Sequence, residues 1–208
     1  MESTDAQQMW EQRYAESDQI WSGRPNARLV EVVSGLSPGT ALELGCGEGG
    51  DTVWLARQGW RVLAVDIANN ALRRAAAALA AAGDDLVERV EFQQHDLTAT
   101  FPSGCYDLVS AHFLHSPTEW DRDSVLRRAA EAVAPGGRLL IVDHAEGPPW
   151  SEGLHDHVFP TAEEVVAGLE LDPAYWERER VERAERDGVG PDGQVGTLVD
   201  NVILLRRL

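Results

Sequence analysis

Three glycines stand at Gly45, Gly47 and Gly50, and three carboxylates stand among them: Glu43, Glu48 and Asp51. The spacing G-x-G-x-x-G makes a turn whose bare backbone lets a ligand lie against amide groups. Asp66 follows at about the 20-residue separation at which an acid can hold a ribose. The spacing alone fits a dinucleotide. The charge does not, because a pyrophosphate is held by helix N-terminal amides and favours positive surroundings, and no Lys or Arg lies between Ala41 and Leu55. Read this way, a pyrophosphate meets at least two uncompensated carboxylates. A ligand with a cationic centre and an ammonium group suits that field better.

A second set of reactive side chains comes later. His112 and His115 bracket Phe113-Leu114. Imidazole titrates near neutrality, so either is a candidate general base for a nucleophile that carries a proton. A reaction that needs only an aligned lone pair and a dry site does without one. His144, Glu146, Trp150 and the triplet His155-Asp156-His157 follow. Several are metal-ligand types, but their spacing matches no metal signature and no metal is expected. They are expected instead to line or cover an acceptor pocket, with Phe159.

The elements that must position these groups alternate strand with helix. Ala41 to Leu44 reads as a buried strand, and Val53 to Gln58 as a helix stopped by Gly59. Arg61–Asp66 is a second strand. Ala71 to Ala82 is an alanine-rich helix ended by Gly83, with Arg73 and Arg74 on its solvated face and Asn69 or Asn70 as its cap. Val90–Gln94 and Cys105–Ala111 are the third and fourth strands. Asp121 to Val133 is an amphipathic helix, and Ala134-Pro135-Gly136-Gly137 turns the chain into a fifth strand, Arg138 to Asp143. Thr161 caps a helix that runs through about Gly168. Tyr175 to Arg186 alternates its charges, which suits a solvated helix face but equally permits a strand. Strand is the reading adopted, and Thr197 to Arg206 is the last one. Upstream, residues 5 to 17 form a polar helix with Trp10 and Tyr14 on one face. Ile20 to Asn26 is a loop and Ala27 to Ser34 a second helix.

Glu43-Leu44-Gly45-Cys46-Gly47-Glu48-Gly49 resembles the first motif of the class I S-adenosylmethionine-dependent methyltransferases, an acid followed by G-x-G-x-G. Asp66 at the second strand's end, Asp96-Leu97 after the third, and Tyr106-Asp107 entering the fourth resemble that family's further motifs, in order, over roughly residues 40 to 143. The resemblance implies a single Rossmann-like α/β domain over residues 1–208. Its seven-stranded, mostly parallel sheet carries helices on both faces and an antiparallel last strand between the fifth and sixth. Residues 1–36 would be an N-terminal helical lid, as in the small thiopurine- and tellurite-methyltransferase-like members. Residues 38–143 would be the cofactor-binding core, and 144–208 the acceptor-side loop and C-terminal strands.

The implied cofactor is S-adenosyl-L-methionine, with S-adenosyl-L-homocysteine as product. Glu43, Gly45, Cys46, Gly47 and Gly49 would hold its methionine part, with Trp21 beside them. Asp66 and Ile67 would hold the ribose, and Asp96 and Leu97 the adenine. Ala111 and His112 would close the cofactor crevice. His112 and His115 are the candidate catalytic groups. Trp10, Tyr14, Arg24, His115, His144 and Trp150 are the candidate substrate-binding groups.

The chain's 208 residues suffice for one domain with a substantial core. Its formal charge of -17 disfavours a large phosphate-backbone footprint, so no nucleic-acid partner is expected. Cys46 and Cys105 give no disulfide framework. No apolar run is long enough to span a membrane and no signal segment precedes the first helix, so a cytoplasmic protein without membrane contact is expected. It is expected to be a monomer or homodimer that moves a methyl group to O, N or S of a small-molecule acceptor. Two rivals stay open at this level: an NAD-dependent oxidoreductase, and a non-catalytic protein that binds S-adenosylmethionine.

Overall fold

The computed structural model describes residues 4–151, 158–190 and 192–208. Its elements run α1 (Asp5–Ala15), α2 (Ala27–Val33), β1 (Thr40–Leu44), α3 (Gly50–Arg57), β2 (Arg61–Asp66), α4 (Asn69–Ala82) and α5 (Asp84–Val87). Then come β3 (Val90–Gln94), β4 (Tyr106–His112), α6 (Arg122–Glu131), β5 (Val133–His144), α7 (Ala162–Gly168), β6 (Trp176–Val189) and β7 (Val195–Arg207). The strands form one seven-stranded sheet in the order β3-β2-β1-β4-β5-β7-β6. Strands β1 to β5 are parallel, and β7 runs antiparallel to both β5 and β6. This is the expected α/β, Rossmann-like architecture.

Period-2 side-chain alternation explains why both faces of the central strands are apolar. In β1, Leu42 and Leu44 pack on one face with Val125, Leu126 and Ala129 of α6. Ala41 packs on the other with Leu29, Leu55 and Trp60. In β5, Leu139 and Ile141 join the first face, and Leu140 and Val142 the second. A helix layer therefore covers each side. Strand order reverses between β1 and β4, so the crevice for ligands lies beyond the carboxyl ends of these two strands. The glycine turn after β1 and the histidines after β4 meet there.

Four local readings need correction. The α4 N-terminus has Ala68 as N-cap with no side-chain bond. The Glu11 carboxylate of α1 accepts from the Asn69 and Asn70 amides instead, at 2.6 and 3.0 Å. Arg74 is not on a solvated face, since its guanidinium is bound at the glycine turn. Strand β5 starts at Val133, because Tyr106 pairs with Val133 and the Pro-Gly-Gly stretch is absorbed as a register shift before Leu108 meets Arg138. The short helix α5 has no counterpart in the sequence reading.

The ambiguous charged segment is a strand, as adopted. Its alternating side chains reach partners on different elements: Arg178 to Glu163, Glu179 to Arg138, Arg180 to Glu31, Arg186 to Asp200. Such charges also blunt an exposed sheet edge. Thr161 caps α7 as expected, and the cap is a full capping box with Glu164. Among the described residues, no helix is long and apolar enough to cross a membrane.

Candidate functional site

The turn after β1 hangs from β2. The Gly45 and Cys46 amides both donate to the Val65 carbonyl, at 2.8 and 2.9 Å. The Gly47 amide donates to Asp66 Oδ2 at 2.9 Å, and the Ala68 amide to Oδ1 at 3.0 Å. One carboxylate thus clamps the turn after β1 to the turn after β2. Gly47 has φ +53°, and a Cβ there would lie 3.2 Å from the Trp21 indole and the Tyr14 hydroxyl. Both the left-handed backbone and the crowding call for glycine. Cys46 is buried and forms no disulfide, and burial holds its thiol well above the ordinary range.

Each carboxylate of the turn has a partner. Glu43 is 4% exposed and accepts from the Thr52 hydroxyl at 2.6 Å. Burial, then the nearby Asp51, pushes its carboxyl well above the usual range. Asp66 is also raised by burial, against the pull of the Ala68, Gly47 and Ile67 amides. Glu48 accepts from the Ile20 and Trp21 amides, the latter at 2.8 Å, and pairs with Arg74 at 2.6 Å. The charge reading is corrected on this point. Glu48 is compensated by a cation contributed from α4, and the buried Glu43 holds its proton more tightly than a free carboxyl, so the acids left to face the crevice are Asp51 and Asp66.

The N-terminal segment lies over this turn. The Trp21 indole donates to the Tyr14 hydroxyl at 2.9 Å. Tyr14 is buried against Ala68 and Ala71, with Ile67 and Trp10 alongside. Burial, followed by the Asp66 charge, keeps its phenol protonated far into the alkaline range. Arg74 also donates to the Tyr14 and Ser17 carbonyls. The α1 N-cap Thr4 donates to Asp96 Oδ2 at 3.1 Å, while Thr98 binds Oδ1 through its amide and hydroxyl. Leu97 is buried, and its carbonyl accepts from Arg128 at 2.8 Å. Trp10, Tyr14 and Trp21 are thus brought together. Arg24 is not: its side chain is exposed and only its carbonyl abuts the turn, at Gly50.

Beyond β4 and β5 a second cluster forms. Ala111 is buried between Leu44 and Ile141 in the sheet, which sets His112 next to Gly45. The His112 ring is 6% exposed and its Nδ1 lies 2.7 Å from Asp51 Oδ2. The other oxygen of Asp51 accepts the Asn26 amide at 2.5 Å. His112 Nε2 is buried and has no hydrogen-bond partner among the described residues. His115 Nε2 lies 3.4 Å from Asp143, which Arg122 also holds at 2.6 and 2.7 Å. Burial alone would raise Asp143, yet His115 and Arg122 together hold its carboxyl below the usual range.

His144 stacks on Phe113, with centroids 4.4 Å apart, and meets Phe159 edge-on at 5.9 Å. Burial, then His115, lowers its basicity. Phe113 itself is left-handed, φ 49°, which is strained for a residue with a Cβ. Trp150 sits farther along, against Gly188, Gly190 and Gly196 of the β6–β7 hairpin. His155, Asp156 and His157 lie outside the described residues.

Sequence reasoning missed Asp51 as the partner of His112, Glu48 and Arg74 as the tie between turn and N-terminal segment, and Asp143 with Arg122 beneath His115. Asp51 and Glu48 carried a signal, since both stand within the glycine motif. Arg74 and Arg122 carried none beyond their charge.

Residues 42–139 match the family model described as a methyltransferase domain. That stretch, with the sheet order around it, is similar to the class I, S-adenosylmethionine-dependent methyltransferase domains. A ribosomal RNA small subunit methyltransferase C of Alcanivorax borkumensis is 31% identical over 141 residues, which is 64% of this chain and 42% of that protein. Thiocyanate methyltransferase 1 of Arabidopsis thaliana is 29% identical over 169 residues, 77% of this chain and 71% of that protein. The chain spans about half the length of several curated relatives that it matches. Among solved structures, the N-methyltransferase NodS of Bradyrhizobium japonicum WM9, in complex with S-adenosyl-L-homocysteine, superposes with a TM-score of 0.66 at 21% identity. That superposition covers 98% of this chain and 99% of NodS, and bears on the fold.

Proposed function

We propose that this chain transfers a methyl group from S-adenosyl-L-methionine to O, N or S of a small-molecule acceptor. The observation that carries the reading is the clamped glycine turn. It is closed by Asp66, lined by acids, and roofed by Tyr14 and Trp21. Its nearby cation, Arg74, is already engaged with Glu48 and two carbonyls. Those acids suit a sulfonium and an ammonium group, and Arg74 is spent on Glu48 and the two carbonyls rather than left for a phosphate.

In this reading the Gly45, Cys46, Gly47 and Gly49 backbone holds the methionine part, with Glu43 ordering the turn through Thr52. Trp21 covers it. Asp66 and Ile67 take the ribose, Asp66 using the lone pairs left beside its two amide bonds. Asp96 and the Leu97 amide take the adenine, and Thr4 gives way on Asp96. Ala111 and His112 bound the crevice. Residues 1–36 act as a lid, 38–143 as the cofactor core, and 144–208 supply the acceptor side. His115 and His144 line that side, with Phe113, and Trp150 and Trp10 stand at its margins. The bound cofactor supplies an electrophilic methyl group, and the chain supplies alignment and exclusion of water.

A small acceptor is supported by relatives such as the thiocyanate methyltransferases. The net charge of -17 argues against copying the substrate of the ribosomal RNA relative. The test is transfer of a labelled methyl group across a panel of small O, N and S acceptors, with ribosomal RNA as a separate arm. Labelling of a small acceptor supports the reading. Labelling of RNA alone overturns its substrate class, and cofactor binding without any transfer favours a non-catalytic protein.

A further inference from the structure

We propose that Asp51 and His112 form a proton-accepting pair for the methyl acceptor, with Nε2 of His112 as the base, so that the acceptor is a neutral group bearing a proton on O, S or N. This rests on the methyltransferase reading above and deepens it. Three observations carry it.

The first is tautomer control. Asp51 Oδ2 lies 2.7 Å from His112 Nδ1. A carboxylate there can only accept, so the ring proton sits on Nδ1 and the lone pair on Nε2. The Asn26 amide occupies the other oxygen of Asp51 and fixes its plane.

The second is the state of Nε2. It is buried and has no partner among the described residues. A buried acceptor left unmade is costly, and native structures rarely keep one without a purpose. An acceptor X–H supplies the missing donor.

The third is position. Leu44 pairs with Ala111, so His112 stands one residue further along, beside Gly45 and the start of the glycine turn. In the methyltransferase reading above, the methionine end of the cofactor, which carries the methyl group, lies along that turn. His115 Nε2 and His144 Nδ1 are also buried with no hydrogen-bond partner among the described residues, but those rings are less suited. His115 has a ring 37% exposed and faces Asp143, whose charge Arg122 already neutralises. His144 is stacked on Phe113 and has its basicity lowered by burial and by His115.

The step balances within the pair, acceptor and cofactor. The lone pair of X forms the X–C bond as the C–S bond breaks, and those electrons return to sulfur, leaving a neutral thioether. The X–H proton passes to Nε2, and Asp51 stabilises the resulting imidazolium. Release of that proton to water resets the pair. His112 would be the catalytic residue and Asp51 a positioning residue.

The test compares the wild type with Asp51→Asn and His112→Gln. Long-range proton–nitrogen correlation spectra read the His112 tautomer. Labelled-methyl transfer is measured to 2-mercaptoethanol and 1-naphthol, which carry a proton, and to thiocyanate, which does not. The expected result is a bare Nε2 in the wild type, and a proton moved to Nε2 in Asp51→Asn. His112→Gln should lower transfer to the protonated probes by about 100-fold more than transfer to thiocyanate, the scale of general-base contributions. A wild-type Nε2 that carries the proton overturns the proposal, as does an equal loss on all three probes. If none of the probes is methylated, the tautomer and its response to Asp51→Asn decide alone. Failure of the wild type to bind S-adenosyl-L-homocysteine would instead remove the methyltransferase reading itself.

Discussion

The two halves of the crevice are built differently. Around the glycine turn the named carboxylates and amides are matched. Asp66 takes two amides, Glu43 takes the Thr52 hydroxyl, and Glu48 takes two amides and Arg74. At the ends of β4 and β5, His112 Nε2 and His144 Nδ1 are buried with no hydrogen-bond partner among the described residues, and Phe113 is backbone-strained. In the proposed reading, the first half is preorganised for the cofactor that every turnover shares, and the second holds unsatisfied atoms that a particular acceptor would complete. Matched bonds make a site rigid, and unmatched ones make it selective.

The largest effect should come from breaking the matched half. Asp66→Ala strips the acceptor from the Gly47 and Ala68 amides, so it should lower S-adenosyl-L-homocysteine affinity by roughly 100-fold and destabilise the fold by about 1–3 kcal/mol. Calorimetry and urea unfolding read these separately. Gly47→Ala should follow, since a left-handed φ alone costs about 1–2 kcal/mol and the added Cβ displaces Trp21. Loss of affinity larger than loss of stability would mark the roof as part of the site.

Glu48→Gln should act more gently. It weakens the hold on Arg74 and on the Ile20 and Trp21 amides, by about 1 kcal/mol. Hydrogen exchange should then quicken over residues 5–21 while the β1 and β4 amides stay protected. Uniform quickening would mean that the segment is not a separable lid.

The smallest effect has the opposite sign. Glu43 has a raised carboxyl, so the folded state holds its proton better than the unfolded chain does. Its contribution is therefore favourable below the unfolded value, about 4.3, and is lost as pH rises through the raised folded value. Glu43→Gln keeps an acceptor for Thr52 and removes that loss. It should raise the melting temperature at neutral pH and leave it little changed at pH 4. Asp143 should behave in the reverse way. Its carboxyl is lowered, so its stabilisation is present above about 3.9 and disappears as pH falls through the folded value. Asp143→Asn should flatten the acid limb of a stability–pH curve.

What could be read from the sequence follows the range of each interaction. The glycine turn, Asp66 and the strand–helix alternation are local patterns, and they stood in the sequence as they stand in the fold. The Thr161 cap of α7 did too, being complete within Thr161–Glu164. The cap of α4 did not, because Glu11 reaches it from 58 residues away. The Asp51–His112 pair spans 61 residues and depends on the register of β1 with β4. Charge alternation in β6 was ambiguous for a different reason. An exposed helix face and an exposed edge strand both accept alternating charges, and only topology separates them.

The most direct measurement is a calorimetric titration of the wild-type chain with S-adenosyl-L-homocysteine and, separately, with NADH. Micromolar binding of S-adenosyl-L-homocysteine, lost in Asp66→Ala and weakened in Asp96→Ala, is the predicted result. Binding of NADH with none of S-adenosyl-L-homocysteine would contradict the account, and would mean that the glycine spacing outweighs the acids around it.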